Sequence, residues 1–415
     1  MQDALREAAR AARDELVETT VALVRCRGET PPSDTRGTAA LAQAFLAAVP
    51  GVTVTLHPSE PPIMNLVARI AGASPGPRLV LSGHLDTYPA GDPAGWRVDP
   101  FGGDVADGRI YGRGAADMKG GIACILTTFR LLAAVRERWS GELVVALAGD
   151  EESMGELGTQ VLIDTVPEVR GDAVMIPDVG SPDVIRIGEK GMVWLEVEAE
   201  GTAAHGAHVH RGVNAADRLI AALARVAELR DLPVDRPPAV ARTVAVAFCV
   251  SEPLGGAGES ETLSRVTVNL GRIDAGTSPN LVPETARAAL DIRLPQGVTV
   301  ADVERALHER LDPLPGIRWR ATRRYEPSWT DPDETIVRCT AAAAAAVLNR
   351  RVVVNDRVGA SDARLFRRAG MPTVVCGLTP RGLGGPDEYL VIDELVGLTE
   401  IYALAAFAFL QPDRR

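Results

Sequence analysis

The chain has 415 residues, 46% of them hydrophobic and 24% charged, a length that exceeds what one hydrophobic core usually serves and so predicts two domains. Its formal net charge is −11 and no long basic cluster interrupts that acidity, which argues against nucleic acid or an anionic membrane surface as partner. The 5 cysteines are odd in number and never form Cys-x-x-Cys, so a disulfide framework or thiolate zinc site is not expected and a reducing, cytoplasmic setting is.

Residues 1–27 carry charges throughout and lack the apolar stretch of a signal peptide, and no later run is long and apolar enough to span a bilayer. Helical spacing of Leu5, Ala9, Ala12 and Leu16 predicts a helix over 3–24; Pro31-Pro32 stops the structure and 34–48 reads as a second helix. Strands at 52–56 and 65–70 lead to Leu-Val-Leu-Ser-Gly-His-Leu-Asp at 79–86, the stretch around which the chain is organised. Its apolar run breaks at Gly83, then presents His84 and, two residues on, Asp86. In extended backbone such residues point the same way, so the Asp86 carboxylate is expected to reach the second ring nitrogen of His84 and fix its tautomer for metal binding.

A Gly- and Asp-rich loop covers 92–114, and a helix then runs to about residue 136. A strand at 142–148 ends in Gly149-Asp150-Glu151-Glu152, and another at 172–176 ends in Pro177-Asp178. Strands alternating with helices predict an α/β domain, a mostly parallel sheet flanked by helices. His84, Glu151, Glu152 and Asp178 fall just after strand C-termini, the edge at which open α/β sheets place their sites. From about residue 189 the order becomes strand 191–199, helix 214–229, strands 266–273 and 287–294, helix 300–311 and strand 318–325, a small α+β sandwich. It reads as an insertion over 189–326, flanked by a discontinuous catalytic domain of 1–188 and 327–415, because helices at 334–348, 362–369 and 393–410 and a strand at 373–376 resume the first pattern.

His84, Asp117, Glu151, Glu152 and Asp178 bring one imidazole and four carboxylates to one edge. Taken singly, Asp117 could cap the helix after it, the two glutamates could form a solvated turn and Asp178 could be a loop acid. Together they would repel one another unless a cation neutralised them, and a histidine among carboxylates suits zinc, manganese or cobalt more than magnesium or calcium.

Five stretches carry a resemblance: Ser-Gly-His-Leu-Asp-Thr-Tyr-Pro at 82–89, Gly-Arg-Gly-Ala-Ala-Asp-Met-Lys-Gly-Gly at 112–121, Asp-Glu-Glu at 150–152, Gly-Thr-Ala-Ala-His-Gly-Ala at 201–207 with Gly-Val-Asn-Ala at 212–215, and Pro-Asn-Leu-Val-Pro at 279–283. In that order they resemble the zinc aminoacylase family that includes acetylornithine deacetylase, succinyl-diaminopimelate desuccinylase and carboxypeptidase G. The resemblance implies a zinc-exopeptidase-like catalytic domain with an inserted lid and dimerisation domain. It implies that His84 and Asp178 bind one metal, Asp117 bridges two and Glu152 binds the second, with Asp86 orienting His84 and a cis peptide after Asp117. Glu151 becomes the general base that takes a proton from the attacking water and returns one to the leaving amine. His205 becomes the histidine that stabilises the tetrahedral oxyanion in a neighbouring subunit. His208 and His210 beside it keep open the plainer reading of a loop histidine, and the Gly-x-x-x-His placement favours His205. Asn280 and Arg293 match substrate anchors, Arg293 otherwise being a strand-surface charge, and Gly359 and Ser361 match a loop that closes on substrate.

One departure stands out. The family's last motif, His-x-Pro-Asp/Asn-Glu, reads Gly384-Gly385-Pro386-Asp387-Glu388 here, so Gly384 stands where a metal-binding histidine is expected. The expectation is a homodimeric, cytoplasmic metal-dependent amidohydrolase of N-acyl amino acids or short peptides, with no nucleic acid or membrane partner. Strand 193–197 and helix 214–229 are expected to build the dimer. One tight zinc is expected, with a second weak or absent and cobalt or manganese able to substitute; Asp387 is the nearest replacement ligand, though better suited to shaping the turn. Rival readings are a mononuclear or repurposed biosynthetic enzyme of this fold, and a binding protein that lost the second metal.

Overall fold

The structure, a computed structural model, describes residues 1–246 and 248–411. The chain divides into two compact units, one of residues 1–187, 330–355 and 361–415, the other of residues 188–329 and 356–360.

In the first unit the apolar run before His84 forms strand Arg78–His84 at the centre of a sheet. Its neighbours Glu142–Ala148 and Ala173–Ile176 run parallel to it, and Thr373–Val375 runs parallel to the latter. The margins are antiparallel: Thr53–Pro58 pairs with Met64–Ala71, which pairs with Glu142–Ala148, and Val184–Glu189 lies against Thr373–Val375. Of the antiparallel pairs only Thr53–Pro58 with Met64–Ala71 is joined by a short turn; the others bring together segments distant in the chain.

Alternation along the central strand explains its continuous hydrophobicity. Leu79 and Leu81 enter one buried cluster with Ile122, Phe129 and Tyr402, while Val80 enters another with Met118, Val144 and Phe366. Helices cover both faces, which is why parallel strands read as unbroken apolar runs. Helix Gly120–Ala134 is buried along almost its whole length, and helix Ile392–Phe409 likewise. The first expected helix is broken at Ala12 (φ −80°, ψ 6°) into Gln2–Ala11 and Arg13–Arg25. Arg6 and Arg10 of the first piece both bind Glu400 of the closing helix.

The second unit is a four-stranded antiparallel sheet in the order Thr267–Ala275, Thr285–Leu294, Gly191–Glu200, Ile317–Tyr325. Helices Ala215–Ala227 and Val300–Leu311 contribute Leu219, Val226, Val303 and Leu307 to a core with Val193, Leu195 and Ile292. Asn214 caps the first helix through Ala216 N (2.8 Å), and Thr299 and Asp302 form a reciprocal capping box on the second. Helix Pro238–Val246 was not visible in the periodicity.

The strand expected to take part in a dimer lies inside its sheet. Gly191–Glu200 is hydrogen-bonded on both sides and has no free edge; the open edges belong to Thr267–Ala275 and Ile317–Tyr325. Alternating Val193, Leu195 and Val197 marks the face toward the helices, not an edge. The four described cysteines, Cys26, Cys124, Cys339 and Cys376, are unpaired thiols. No helix among the described residues is long and apolar enough to cross a membrane.

Candidate metal centre

Parallel register places the site. His84 ends its strand opposite Ala148, so the turn that follows Ala148 carries Glu151 and Glu152 to the same edge as His84. Ligand atoms of His84, Asp117 and Glu152 all lie within 4.8 Å of one another. His84 Nε2 stands 3.1 Å from Asp117 Oδ1, and the Asp117–Met118 peptide is cis.

Asp86 does more than the sequence suggests, and differently. The backbone carbonyl of Asp86, not its carboxylate, meets His84 Nδ1 at 3.0 Å; the carboxylate is farther, at 3.6 Å. Donation to that carbonyl places a proton on Nδ1 and leaves Nε2, 3.1 Å from Asp117 Oδ1, as the ring nitrogen that a cation would take in place of a proton shared with Asp117. The carboxylate accepts instead from the backbone N–H groups of Glu151 and Glu152, both at 3.1 Å, and from Thr30 Oγ1 at 2.7 Å. A fully buried carboxylate with three donors needs no cation of its own.

Asp178 lies just past its strand, buried, with Oδ1 accepting from Val179 N at 2.6 Å. It is outside the three residues whose ligand atoms converge. Gly121 lets helix Gly120–Ala134 approach this segment: a Cβ there would sit 2.4 Å from the Pro177 carbonyl oxygen.

The electrostatics ask for positive charge. Burial, opposed by His84 and reinforced by Asp362, Asp178 and Asp117, raises the Glu151 carboxyl well above its ordinary range. Burial, then Asp117 and Glu151, push Glu152 up to about 10. Burial opposes charge on His84, but its bonds to Asp117 and Asp86 outweigh that and raise it. Buried Glu152 Oε1 has no hydrogen-bond partner. An imidazole nitrogen, a carboxylate 3.1 Å from it and an orphaned carboxylate oxygen fit a borderline divalent cation that replaces the proton between the first two.

Glu388, which the sequence reading quoted only as part of a motif, holds the Asp117 loop. Its buried carboxylate accepts from Gly114 N (3.2 Å), Ala116 N (3.0 Å) and Asp117 N (3.2 Å) and pairs with buried Arg113 (2.5 Å). No spacing rule connects residues 271 positions apart, so this partner had no signal in the chain. Tyr88 was also missed; it is half exposed, and its phenol is raised first by Glu152, then by burial, Glu151 and Asp117.

Around the missing histidine, Gly384 is exposed with φ +70°, and a Cβ there would meet no heavy atom within 4 Å. Asp387 is taken by Arg97, accepting from its N at 2.8 Å and its Nε at 2.6 Å.

The remaining expected site residues lie elsewhere in the fold. His205 and Asn280 are neighbours in the second unit, where Gly206 N donates to Asn280 O at 2.7 Å. Asn280 Oδ1 accepts from Ser278 Oγ at 2.5 Å, and Arg293 Nε lies 2.9 Å from Asp291. Gly359 falls in the second unit and Ser361 in the first, where Ser361 is buried and its carbonyl accepts from Arg364 Nη1 at 2.6 Å.

The model of peptidase family M20/M25/M40 matches residues 80–408. A succinyl-diaminopimelate desuccinylase of Methylobacterium nodulans is 32% identical over 413 residues, covering 95% of this chain and 96% of that one. The fold is shared with an M20 family metallo-carboxypeptidase of Sulfolobus solfataricus, at TM-score 0.77 and 19% identity over 95% of this chain and 99% of the other. It is shared also with the YXEP protein of Bacillus subtilis, described as a dinuclear metal-binding peptidase of the M20 family, at TM-score 0.65 and 15% identity over 97% and 99%. The chain belongs to the peptidase family M20/M25/M40. It is a hydrolase of amide bonds from a family of metallopeptidases.

Glu388→Gln should leave Arg113 buried without its counter-charge, costing about 3–5 kcal/mol of stability, read as a lower urea midpoint. It should also lower metal retention, because the carboxamide has one acceptor oxygen where the carboxylate has two, and its NH2 must face either the Ala116 and Asp117 amides or Arg113 and Gly114. Unchanged stability and metal content would show that Glu388 is not what holds the loop.

Proposed function

We propose that the chain cleaves the amide of an N-acyl amino acid or short peptide, with Glu151 as general base. The observation that carries this reading is the Asp86 carboxylate, which binds the backbone of Glu151 and Glu152 together and sets both acids beside His84. One acid of the pair then serves the cation and the other is left for proton transfer. In this reading His84, Asp117 and Glu152 hold a divalent cation, zinc by ligand chemistry with cobalt or manganese able to replace it, and Asp178 adds to the set. When bound, such a cation polarises the amide carbonyl and makes water acidic enough to attack near neutral pH.

The chain's own residues do the rest. Glu151 accepts the proton of the attacking water and passes it to the leaving amine; burial beside other acids gives it the affinity for a proton that this task needs. His205 Nδ1 accepts from Ala207 N at 3.1 Å, so the neutral ring carries its proton on Nε2 and offers a donor to an oxyanion. Arg293, held through Nε by Asp291, keeps its outer nitrogens for a substrate carboxylate, with Asn280 as a second anchor. Gly359 and Ser361 belong to the segment we assign to closure over the substrate, Ser361 through its backbone, since its side chain is buried. Relatives named for desuccinylation favour a dicarboxylic acyl group such as succinyl. The inserted unit is assigned to lid and dimer formation, and the reaction to the cytoplasm.

Glu151→Gln should keep its metal while turnover of N-succinyl, N-acetyl or dipeptide substrates falls by about 10²–10⁴. Loss of metal in that variant would instead make Glu151 a ligand.

Gly384 removes an imidazole, and Asp387 is committed to Arg97, so a second cation has a poor set of donors. Exhaustively dialysed protein should retain about one metal per chain by elemental analysis, and Asp117→Asn should release it. Two tightly held metals would overturn the single-site reading.

The dimer is assigned to the open edge Thr267–Ala275, where Leu270 and Ile273 are 45% and 50% exposed, together with Ile220 of helix Ala215–Ala227 at 61%. An edge strand paired with its own copy gives an isologous interface. Ile273→Arg should shift sedimentation from dimer toward monomer; a wild-type monomer at micromolar concentration would overturn the assignment.

A further inference from the structure

Of the chain's 6 histidines, three fall in one short turn: His205, His208 and His210, all exposed. The turn Gly206–Arg211 is irregular at His208 (φ −121°, ψ 46°), and it brings the rings together in sequence. The centroids of His205 and His208 are 5.9 Å apart, and so are those of His208 and His210. Two imidazoles on one tetrahedral zinc, with Zn–N near 2 Å, have centroids about 5 Å apart. The His205–His208 and His208–His210 pairs therefore each need to close by about an ångström, and side-chain rotation at exposed positions must also turn the nitrogens of all three inward. Their nitrogens do not yet converge as those of His84, Asp117 and Glu152 do.

We infer that His205, His208 and His210 form a second, surface site for a borderline-soft divalent cation such as Zn²⁺, and that filling it switches the enzyme off. The inhibitory half rests on the donor role of His205 proposed above. At rest His205 Nδ1 accepts the Ala207 N–H, which keeps the ring proton on Nε2. A cation bound at Nδ1 displaces Ala207; one bound at Nε2 displaces the ring proton, which must move to Nδ1 and break the same bond. Bound at Nε2, the cation removes the Nε2–H itself; bound at Nδ1, it leaves that proton but ties the ring to His208 and His210 and turns it from its resting position, so in both cases the donor that an oxyanion would meet is withdrawn. His208 and His210 supply the other two nitrogens and take no part in the proposed chemistry, so they are the handles for a test.

Holoenzyme carrying its own metal is titrated with ZnCl₂ by calorimetry, and hydrolysis is followed over the same zinc range. The expected result is an additional binding event in the wild type, with activity falling as it saturates. In His208→Ala/His210→Ala that event should weaken at least about tenfold and inhibition should shift with it, while activity without added zinc stays the same. Both residues are exposed, so the double variant keeps the fold; circular dichroism checks this. Identical zinc isotherms for the two proteins overturn the site. An isotherm lost in the variant without inhibition in the wild type overturns the capture of His205. If neither protein hydrolyses any amide offered, the functional reading fails, while the isotherms still decide whether the cation site exists.

Discussion

Carboxylates crowded at one sheet edge must each be given a partner, and the fold does this by dividing one residue between two tasks. Asp86 lends its carbonyl to His84 and its carboxylate to the amides of Glu151 and Glu152. Thr30, reached through the backbone pairing of residues 28–30 with Thr87, supplies the third bond to that carboxylate. The ring tautomer and the position of the acidic pair are thus set by the same side chain. What is left over, Glu152 Oε1 and the His84–Asp117 pair, is the part of the edge that a cation would satisfy. Repulsion among the acids raises their affinity for a proton, and a cation at the same edge would relieve it.

Much of this was legible in the chain. Apolar runs ending in polar residues located the central strands and hence the edge, because a strand buried on both faces has no other way to be written. The helix expected over 300–311 stands at Val300–Leu311, and the structure adds the Thr299–Asp302 capping box at its start. The Asp86 contact was misread because alternation in a strand predicts side-chain direction, whereas the chain leaves the strand at His84 and turns its backbone carbonyl to the ring. The order of strands in the second sheet was not legible for a related reason. Alternating hydrophobicity reports which face is buried and is silent about which strands lie at the margin of a sheet.

The neighbourhood of Gly384 separates two functions that one motif combines. The histidine position is a left-handed, exposed glycine, yet Glu388, four residues on, keeps four bonds to residues 113–117. Loss at the first position without loss at the second keeps the loop that carries Asp117 in place. Glu388 thus holds the backbone beside Asp117 whether or not position 384 carries an imidazole.

Glu388 also orders events in time. All four residues proposed as ligands lie within the first 178 residues, so a nascent chain carries them long before residue 388 leaves the ribosome. Until it does, the amides of Gly114, Ala116 and Asp117 have no buried carboxylate to receive them, and Arg113 has no counter-charge. Glu400, which gathers Arg6 and Arg10, comes later still. Synthesis thus runs ahead of assembly: the loop that carries Asp117 waits for Glu388, and Arg6 and Arg10 of the first helix wait for Glu400 of the closing one.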